Sequence, residues 1–302
     1  MGGVPGPSFT SDPDEYAMIV VTGATGTIGR ELVRLLAASD EPVRALSRVS
    51  PRGEAAGRTE WAQVDLADRS ALAGALAGGS RLFLLTGNSE DMVRLQKNAI
   101  RAAVDAGVQM VVKLSALGAT DHSRSVIGLW HFNVERELRG SGLAWTVLRP
   151  HSFMQNFLDP LVLERSAGVV RSAAGDGAIP FIDTRDIAAV SARVLREPDG
   201  HEGQTYMMTG PEALSYAEAT GAIGRAIGRA LTHAAESTDE AWARRRAAGQ
   251  PTWLVAAQLA LAEYQRAGGP TARTTDTVER LTGRPPRTLE EFARDHADAL
   301  RG

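Results

Sequence analysis

The sequence contains no cysteine, which excludes disulfide bonds, thiolate zinc sites and cysteine nucleophiles. It also lacks the HExxH motif of zinc peptidases and the GxSxG motif of serine hydrolases. The six histidines include no close pair at helical spacing, so we predict no metal site. No stretch approaches the run of about 18 apolar residues that a membrane-spanning helix needs, so we predict no membrane association.

A strong excess of charge of either sign is also missing. The 302 residues carry a net charge of -3 with a pI near 6.1, which gives no reason to expect nucleic acid as a partner. Lysine is scarce too, since all but two of the basic residues are arginine, a usage typical of GC-rich bacterial genomes. The absence of cysteine suits a cytoplasmic location. Residues 1–16 are rich in glycine, proline and acid, so we predict a disordered leader rather than a signal peptide.

What the sequence does contain is a glycine-rich turn between a predicted strand and a predicted helix. An apolar run, Met18 to Val21, enters the turn, the glycines follow the spacing GxxGxxG, and helix-forming residues continue from Glu31 to Ala38. Glycine allows a tight turn and close approach of a pyrophosphate to the backbone, and free amide groups at the helix start would face the phosphates. An ordinary strand-to-helix turn is the alternative. The predicted cofactor contacts here are Gly23, Thr25, Gly26, Thr27, Ile28 and Gly29.

Strand and helix patterns alternate from this turn to about residue 150. Such alternation is typical of an α/β fold, here a Rossmann-type doubly wound parallel sheet with helices on both faces. We expect residues 17–157 to form the nucleotide-binding part and residues 158–302 to form a smaller, mainly helical substrate lobe of the same compact unit. The further strands are predicted at residues 43–46, 61–64, 81–85, 109–114 and 143–148, and later ones at 168–172, 179–182, 204–208 and 231–235.

The end of the second predicted strand indicates which nucleotide binds. A site for NAD usually has an acidic residue about 20 positions after the glycine turn, where it accepts hydrogen bonds from the ribose hydroxyls. Here the strand ends in Ser47 and Arg48, with Arg52 as a second candidate. Arginine suits the 2′-phosphate of NADP(H), so we predict NADP(H) in preference to NAD(H). Two solvated surface arginines are the alternative.

Small and polar residues follow the third and fourth predicted strands. Asp65, with Leu66, is placed to accept a hydrogen bond from the adenine amino group, although capping of the next helix would also explain this aspartate. The group Thr86, Gly87 and Asn88 follows the fourth strand, and such small residues suit contact with the cofactor. Capping by Asn88 or Ser89 is again the alternative.

Several segments together resemble one known family. They are GATGTIGR from Gly23, Asp65 after the third strand, LSALG after the fifth strand, SGLAWTVLRPHSFMQNF from Ser141, FIDTRDIA from Phe181 and LTGRPPRTLEEFARDHA near the end. Together they resemble the NmrA-like branch of the atypical short-chain dehydrogenase/reductases, which includes quinone reductases. The resemblance extends over essentially the whole chain after residue 16.

The resemblance implies a catalytic set of which this chain has only part. Typical short-chain reductases use a serine after the fifth strand and a YxxxK motif on the next helix. Ser115 matches the serine, which would polarise the substrate oxygen. His131 stands where many relatives have the lysine, and Ile127 stands where the tyrosine would be. His131 would then donate a proton or contact the nicotinamide ribose.

Two functions remain open at this stage. One is an NADPH-dependent reductase of quinones, enones or aromatic polyketide carbonyl compounds, whose reduced products are stabilised enolates or phenolates that need no tyrosine for protonation. The other is a non-catalytic NADP(H) sensor that acts through a protein partner, as regulatory members of the family do. We favour the enzyme, with a small-molecule substrate.

The resemblance also implies contacts around the substrate. In relatives the loop after the sixth strand passes the nicotinamide carboxamide, so Pro150, Ser152 and Phe153 are carried over as cofactor contacts. Lys113 is predicted to lie at the rim of the sheet, and the arginines at 244–246 are predicted to lie on a solvated face. The region from Trp253 is predicted to cover the active site or to form a homodimer contact. The candidate substrate residues are Trp130, His151, Met154, Asn156 and Phe157.

Overall fold

The computed structural model describes residues 18–39, 41–49 and 57–302. The predicted leader and Arg52 therefore lie outside the described residues. The predicted Rossmann-type fold is confirmed by a sheet of seven parallel strands in the order β3-β2-β1-β4-β5-β6-β9. These strands are β1 (Met18–Val21), β2 (Val43–Ser47), β3 (Thr59–Gln63), β4 (Gly79–Leu84), β5 (Met110–Leu114), β6 (Ala144–Pro150) and β9 (Gln204–Met208).

Helices cover both faces of this sheet. Leu32 of one helix and Ile187 of another pack in a single core cluster on one face, while Leu72, Ile100 and Val134 pack in a cluster on the opposite face. The first face carries α1 (Thr27–Ala37), α5 (Thr184–Arg196) and α9 (Thr277–Thr282), and the second carries α2 (Arg69–Leu76), α3 (Met92–Asp105) and α4 (Val126–Arg139).

The smaller lobe is built around a three-stranded sheet in the order β10-β8-β7. Its strands are β7 (Leu163–Glu164), β8 (Val169–Ser172) and β10 (Thr232–Ala235); β8 runs parallel to β10 and antiparallel to β7. Its helices are a 3₁₀ helix (Met154–Leu158), α6 (Tyr216–Ile227), α7 (Thr238–Ala247), α8 (Thr252–Arg266), α10 (Leu289–Asp295) and α11 (Ala297–Arg301). No helix in the described ranges is long and apolar enough to cross a membrane.

Two expectations about the second half need correction. The predicted boundary at residue 157 does not separate two halves of the chain, because β9 pairs with β6 in the large sheet and α5 packs on α1. The chain enters the lobe, returns to the large sheet and leaves it again. Residues 179–182 were predicted as a strand but form only isolated bridges, Ile179 with Leu214 and Ile182 with Phe153. The second of these bridges joins this segment to the loop after β6.

Candidate active site

The glycine turn after β1 is a close-packed backbone structure. Gly23 has a φ of 64°, and a Cβ atom there would lie 2.8 Å from the carbonyl oxygen of Leu85. A Cβ atom at Gly29 would lie 2.1 Å from the carbonyl oxygen of Gly23. Both positions therefore require glycine to form the turn itself, whatever binds there.

Gly26 has a different role in the same turn. It is exposed, has an ordinary φ of -77°, and stands at the N-cap of α1 without a side chain to cap the helix. The first helical turn contains no acidic residue, and Thr25 and Thr27 on either side are also exposed. Free amide groups and the positive end of the helix dipole thus meet an open surface, which suits the pyrophosphate of a dinucleotide.

The neighbouring strand ends place the predicted adenosine contacts at the same edge. Arg48 is exposed directly after β2, and its carbonyl oxygen accepts a hydrogen bond from Nε2 of Gln63 at 3.1 Å. Asp65 is exposed after β3 and accepts from the amide of Ala67 at 2.9 Å. The cap of α2 is Asp68 rather than Asp65, so helix capping does not explain the aspartate at 65.

The residues after β4 are largely free of contacts that would prevent them from binding the cofactor. Gly87 and Asn88 are exposed, whereas the Thr86 hydroxyl accepts a hydrogen bond from Nε2 of Gln96 at 2.8 Å. The next helix begins at Met92 without a side-chain cap, so the capping alternative for Asn88 and Ser89 is wrong. The segment 86–88 thus lies at the carboxyl end of the sheet with no helix-capping role.

A buried ionic network lies beyond β5 and was not predicted. Glu135 of α4 is completely buried and accepts hydrogen bonds from Nε and Nη2 of Arg149 at 2.9 and 2.6 Å. Arg139 adds an ion pair at 2.9 Å. The Ser115 hydroxyl donates to the same carboxylate at 2.5 Å, so in this arrangement its proton is directed to Glu135 and not to a substrate oxygen. Burial raises the pKa of Glu135, but hydrogen bonds from Arg149 and Ser115 outweigh it and lower the pKa.

Lys113 was predicted at the rim of the sheet, and this prediction is wrong. Its side chain is completely buried, its Nζ donates to the carbonyl oxygen of Leu114 at 3.0 Å, and it lies 2.9 Å from Nδ1 of His131. Burial lowers the pKa of Lys113 to about 7, although the charge of Glu135 opposes this shift. Burial, Lys113 and Arg149 lower the pKa of His131 well below its usual value. His131 is therefore a neutral ring at pH 7.

The residues in and after the loop that follows β6 differ in how far they are accessible to a ligand. His151 is buried, and its Nδ1 accepts a hydrogen bond from the amide of Ser152 at 2.7 Å. The hydroxyl of Ser152 accepts from Nε2 of Gln265 on α8 at 2.8 Å. Met154 and Phe157 are 1% and 0% exposed within the lobe core, so they do not offer a surface to a substrate. Their apolar character reflects packing. Pro150 is also buried, and Phe153 is half-buried.

A cavity of about 140 Å³ opens between this loop and the lobe. Asn156 lines it, and further polar side chains in its wall include Tyr216, Arg245, Gln258 and Gln265. Nη1 of Arg245 donates to the Gln258 side chain at 3.0 Å, so this arginine does not lie on a solvated face as predicted. The four added residues come from α6, α7 and α8, and no motif in the sequence marks them.

Helix α8 covers the cavity from the side of α4. The Trp253 ring packs on Trp130 with centroids 5.1 Å apart, and the Ser125 hydroxyl donates to the carbonyl oxygen of Ala257 at 3.3 Å. These contacts show that α8 packs against α4; a role of this region as a roof over the active site or as a homodimer contact stays a prediction. Trp130 therefore lies at the junction of α4 and α8, one residue before His131.

The fold and the glycine turn together define a Rossmann-type protein of the dinucleotide-binding kind. Residues 15–292 match the model of the NmrA-like family. The chain belongs to the NmrA-like family, as its sequence motifs indicated.

Three similar proteins cover nearly the whole chain. An NAD(P)H azoreductase of Xenophilus azovorans is 38% identical over 94% of this chain and 99% of its own length. A (4-alkanoyl-5-oxo-2,5-dihydrofuran-3-yl)methyl phosphate reductase of Streptomyces griseus is also 38% identical, over 94% and 99%. The NADPH-dependent quinone oxidoreductase of Escherichia coli, solved with NADPH, has a TM-score of 0.82 and 29% identity over 92% and 99%. The chain is an oxidoreductase.

Proposed function

We propose that the protein is an NADPH-dependent reductase of conjugated acceptors such as quinones, enones and azo compounds. The observation that carries this proposal is that the chain combines an exposed glycine turn at the start of α1 with a buried, neutral histidine, His131, on α4, the helix that carries the YxxxK motif in typical short-chain reductases. The similar proteins support it, since they are reductases of azo, quinone and furanone compounds.

The nicotinamide cofactor would be held by residues of this chain at the carboxyl edge of the large sheet. The amide groups at the start of α1 bind the pyrophosphate, Arg48 binds the 2′-phosphate, and Asp65 accepts from the adenine amino group. The loop from Pro150 to Phe153 contacts the carboxamide end. When bound, NADPH supplies the hydride that reduces the acceptor.

The acceptors are conjugated because the helix α4 offers no tyrosine. Hydride transfer to a quinone, an enone or an azo group leaves a delocalised anion, which is a weaker base than an alkoxide and depends less on an acid at the moment when it forms. His131 is the nearest candidate donor on α4, and Ser115 serves to position Glu135 rather than to polarise the acceptor. The acceptor occupies the cavity, where Asn156, Tyr216 and Arg245 bind its polar substituents.

The test is oxidation of NADPH by the purified protein with quinones, azo dyes and conjugated ketones, with NADH measured in parallel. We expect turnover with at least one of these acceptor classes and a higher kcat/KM with NADPH. If NADPH binds but no acceptor is reduced, the reductase proposal fails, and the family's regulatory role as a nucleotide sensor takes its place.

Arg48→Ala tests the cofactor preference. Loss of a charge-assisted contact with the 2′-phosphate costs about 1.5–3 kcal/mol, so the Kd for NADPH should rise roughly tenfold to a hundredfold. The Kd for NADH should change little, because NADH has no 2′-phosphate. Calorimetry with both nucleotides measures this, with Arg225→Ala, an exposed arginine of the lobe, as the control. Equal losses for both nucleotides would contradict the assignment.

A further inference from the structure

Lys113 is a buried cation for which the fold offers no counter-ion in direct contact. Its side chain is completely buried, yet it forms no ion pair within 4.0 Å with any carboxylate of the described ranges. Its two contacts are the carbonyl oxygen of Leu114 and Nδ1 of His131. A buried ammonium group is costly to the stability of the fold unless it is paired. Its position therefore calls for a role other than packing.

The contact with Lys113 selects one tautomer of His131. A protonated lysine can only donate hydrogen bonds, so Nδ1 of the neutral imidazole must accept at 2.9 Å and Nε2 must hold the ring proton. Nε2 forms no hydrogen bond with the described part of the chain. This atom is not fully buried, because a buried Nε2 without a hydrogen bond would be an unpaired polar atom, and His131 has none. The 7% of His131 that is exposed therefore includes Nε2. The Nε2–H group is thus directed to accessible space.

We propose that Lys113 and His131 form a proton relay that takes over the task of the missing tyrosine, an inference that rests on the proposed reductase function. Hydride addition leaves a pair of electrons on an oxygen or nitrogen of the acceptor. That atom takes the proton from Nε2 of His131, while Nδ1 takes a proton from Nζ of Lys113. The ring stays neutral throughout, Lys113 becomes a neutral amine, and a solvent proton returns along the same two atoms after product release. His131 is the catalytic residue and Lys113 is a positioning and proton-supplying residue behind it.

The charges around the pair set the pH at which the relay works. Glu135 and Arg139 face it from α4 and Arg149 from β6, and the carboxylate of Glu135 is held by both arginines. Burial lowers the pKa of Lys113 to about 7; the charge of Glu135 opposes this shift, and the charge of Arg149 adds to it. The relay needs the protonated lysine, which is present below this pKa and lost above it. We therefore expect kcat to fall as the pH rises through about 7.

The first measurement needs neither cofactor nor acceptor. The chain has only two lysines, so the Nζ and Cε signals of a lysine-labelled sample can be assigned by comparison with Lys97→Met. We expect the remaining signal, that of Lys113, to titrate near pH 7. At a pH below 7, where Lys113 is protonated, histidine ¹⁵N spectra should show His131 with its proton on Nε2 in the native protein. In Lys113→Met, the change in ¹⁵N chemical shift that the hydrogen bond from Lys113 causes at Nδ1 should disappear.

The second measurement uses three variants in the pH profile of kcat. Lys113→Met should lower kcat roughly tenfold to a hundredfold at pH 6 and remove the fall near pH 7. Lys113→Arg keeps a positive donor that does not release its proton, so it should keep the Nε2–H tautomer but also lack the pH dependence. Lys97→Met should match the wild type, because Lys97 lies on α3, where it forms an ion pair with Glu137 and makes no contact with Lys113 or His131. Thermal unfolding confirms that each variant is folded.

The outcomes separate this inference from the reductase proposal. A native protein that reduces no acceptor refutes the reductase function, and the relay with it, whatever the spectra show. An active native protein refutes the relay alone if Lys113 titrates near 10, if His131 has its proton on Nδ1, or if Lys113→Met keeps the native pH profile. Loss of stability in Lys113→Met with an unchanged pH profile would assign the lysine a structural role only.

Discussion

The variant Gly26→Asp should lose nucleotide binding with little change in the stability of its fold, because the gain from a helix cap is offset by a Cβ atom 3.3 Å from the carbonyl oxygen of Gly23. Gly26 stands at the N-cap of α1 with φ -77° and ψ 173°, a conformation in which an aspartate can accept from the amide groups of the first turn. The new carboxylate would stabilise the helix by a few tenths of a kcal/mol, since glycine is itself a fair cap. It would also occupy the phosphate site with a negative charge. Repulsion of several kcal/mol should raise the Kd for NADPH by at least about 100-fold.

Calorimetric titration with NADPH and thermal unfolding of the apo protein measure the two effects. Gly26→Ser is the matched control, because serine also caps the helix but carries no charge; its affinity should fall less than that of the aspartate variant. Gly29→Ala provides the contrast, since its Cβ atom would meet the carbonyl of Gly23 at 2.1 Å and should lower stability as well as binding. If Gly26→Asp binds NADPH with native affinity, the phosphate site lies elsewhere.

The variant Glu135→Gln should lower the free energy of unfolding by about 3–5 kcal/mol, the usual cost of breaking a buried ion pair on one side. Glutamine keeps the shape of the side chain but removes the negative charge that pairs with the half-buried Arg149 and the more exposed Arg139. Denaturant unfolding at pH 7 measures this loss. On the same helix, Glu137→Gln removes an exposed pair with Lys97 and Arg101 and should change stability by no more than about 1 kcal/mol.

The pH dependence of stability gives a second test of the Glu135 network. The folded-state pKa of this carboxyl lies below its usual 4.5, so its stabilisation is complete above that pH and is lost as the pH falls through the lowered pKa. The native protein should therefore lose more stability between pH 5 and pH 3 than Glu135→Gln does. Parallel curves for the two proteins would show that the charge of Glu135 does not stabilise the fold.

Local patterns in the sequence were enough to predict the nucleotide half. The glycine turn, its strand and its helix are contiguous, so the residues that build them are neighbours in the chain. Strands such as β1 and β5 are largely apolar runs followed by short loops, and the carboxyl ends of parallel strands meet at one edge. That rule predicts that Arg48, Asp65 and Thr86 lie at the same edge of the sheet. The family resemblance rested on the same local segments.

The second half was less predictable because its partners are distant in sequence. A short strand such as 204–208 would have the same sequence pattern in the small lobe and in the large sheet. Only its pairing with β6 shows that it belongs to the large sheet. The substrate candidates Met154 and Phe157 were apolar in a suitable place, but apolar side chains suit a protein core and a ligand equally well. The cavity wall combines α6, α7 and α8, which no single motif spans.

The sequence by itself determined the Rossmann-type fold, the glycine cradle, the family and the absence of the usual tyrosine, since each of these follows from residue types at short spacing. Only the tertiary structure decided what Lys113, Ser115 and Glu135 do. A lysine at the end of a strand looks the same in sequence whether it reaches solvent or lies beneath a helix. Its burial, its pKa and its contact with His131 depend on how β5, β6 and α4 pack, and these contacts join residues 14 to 20 positions apart.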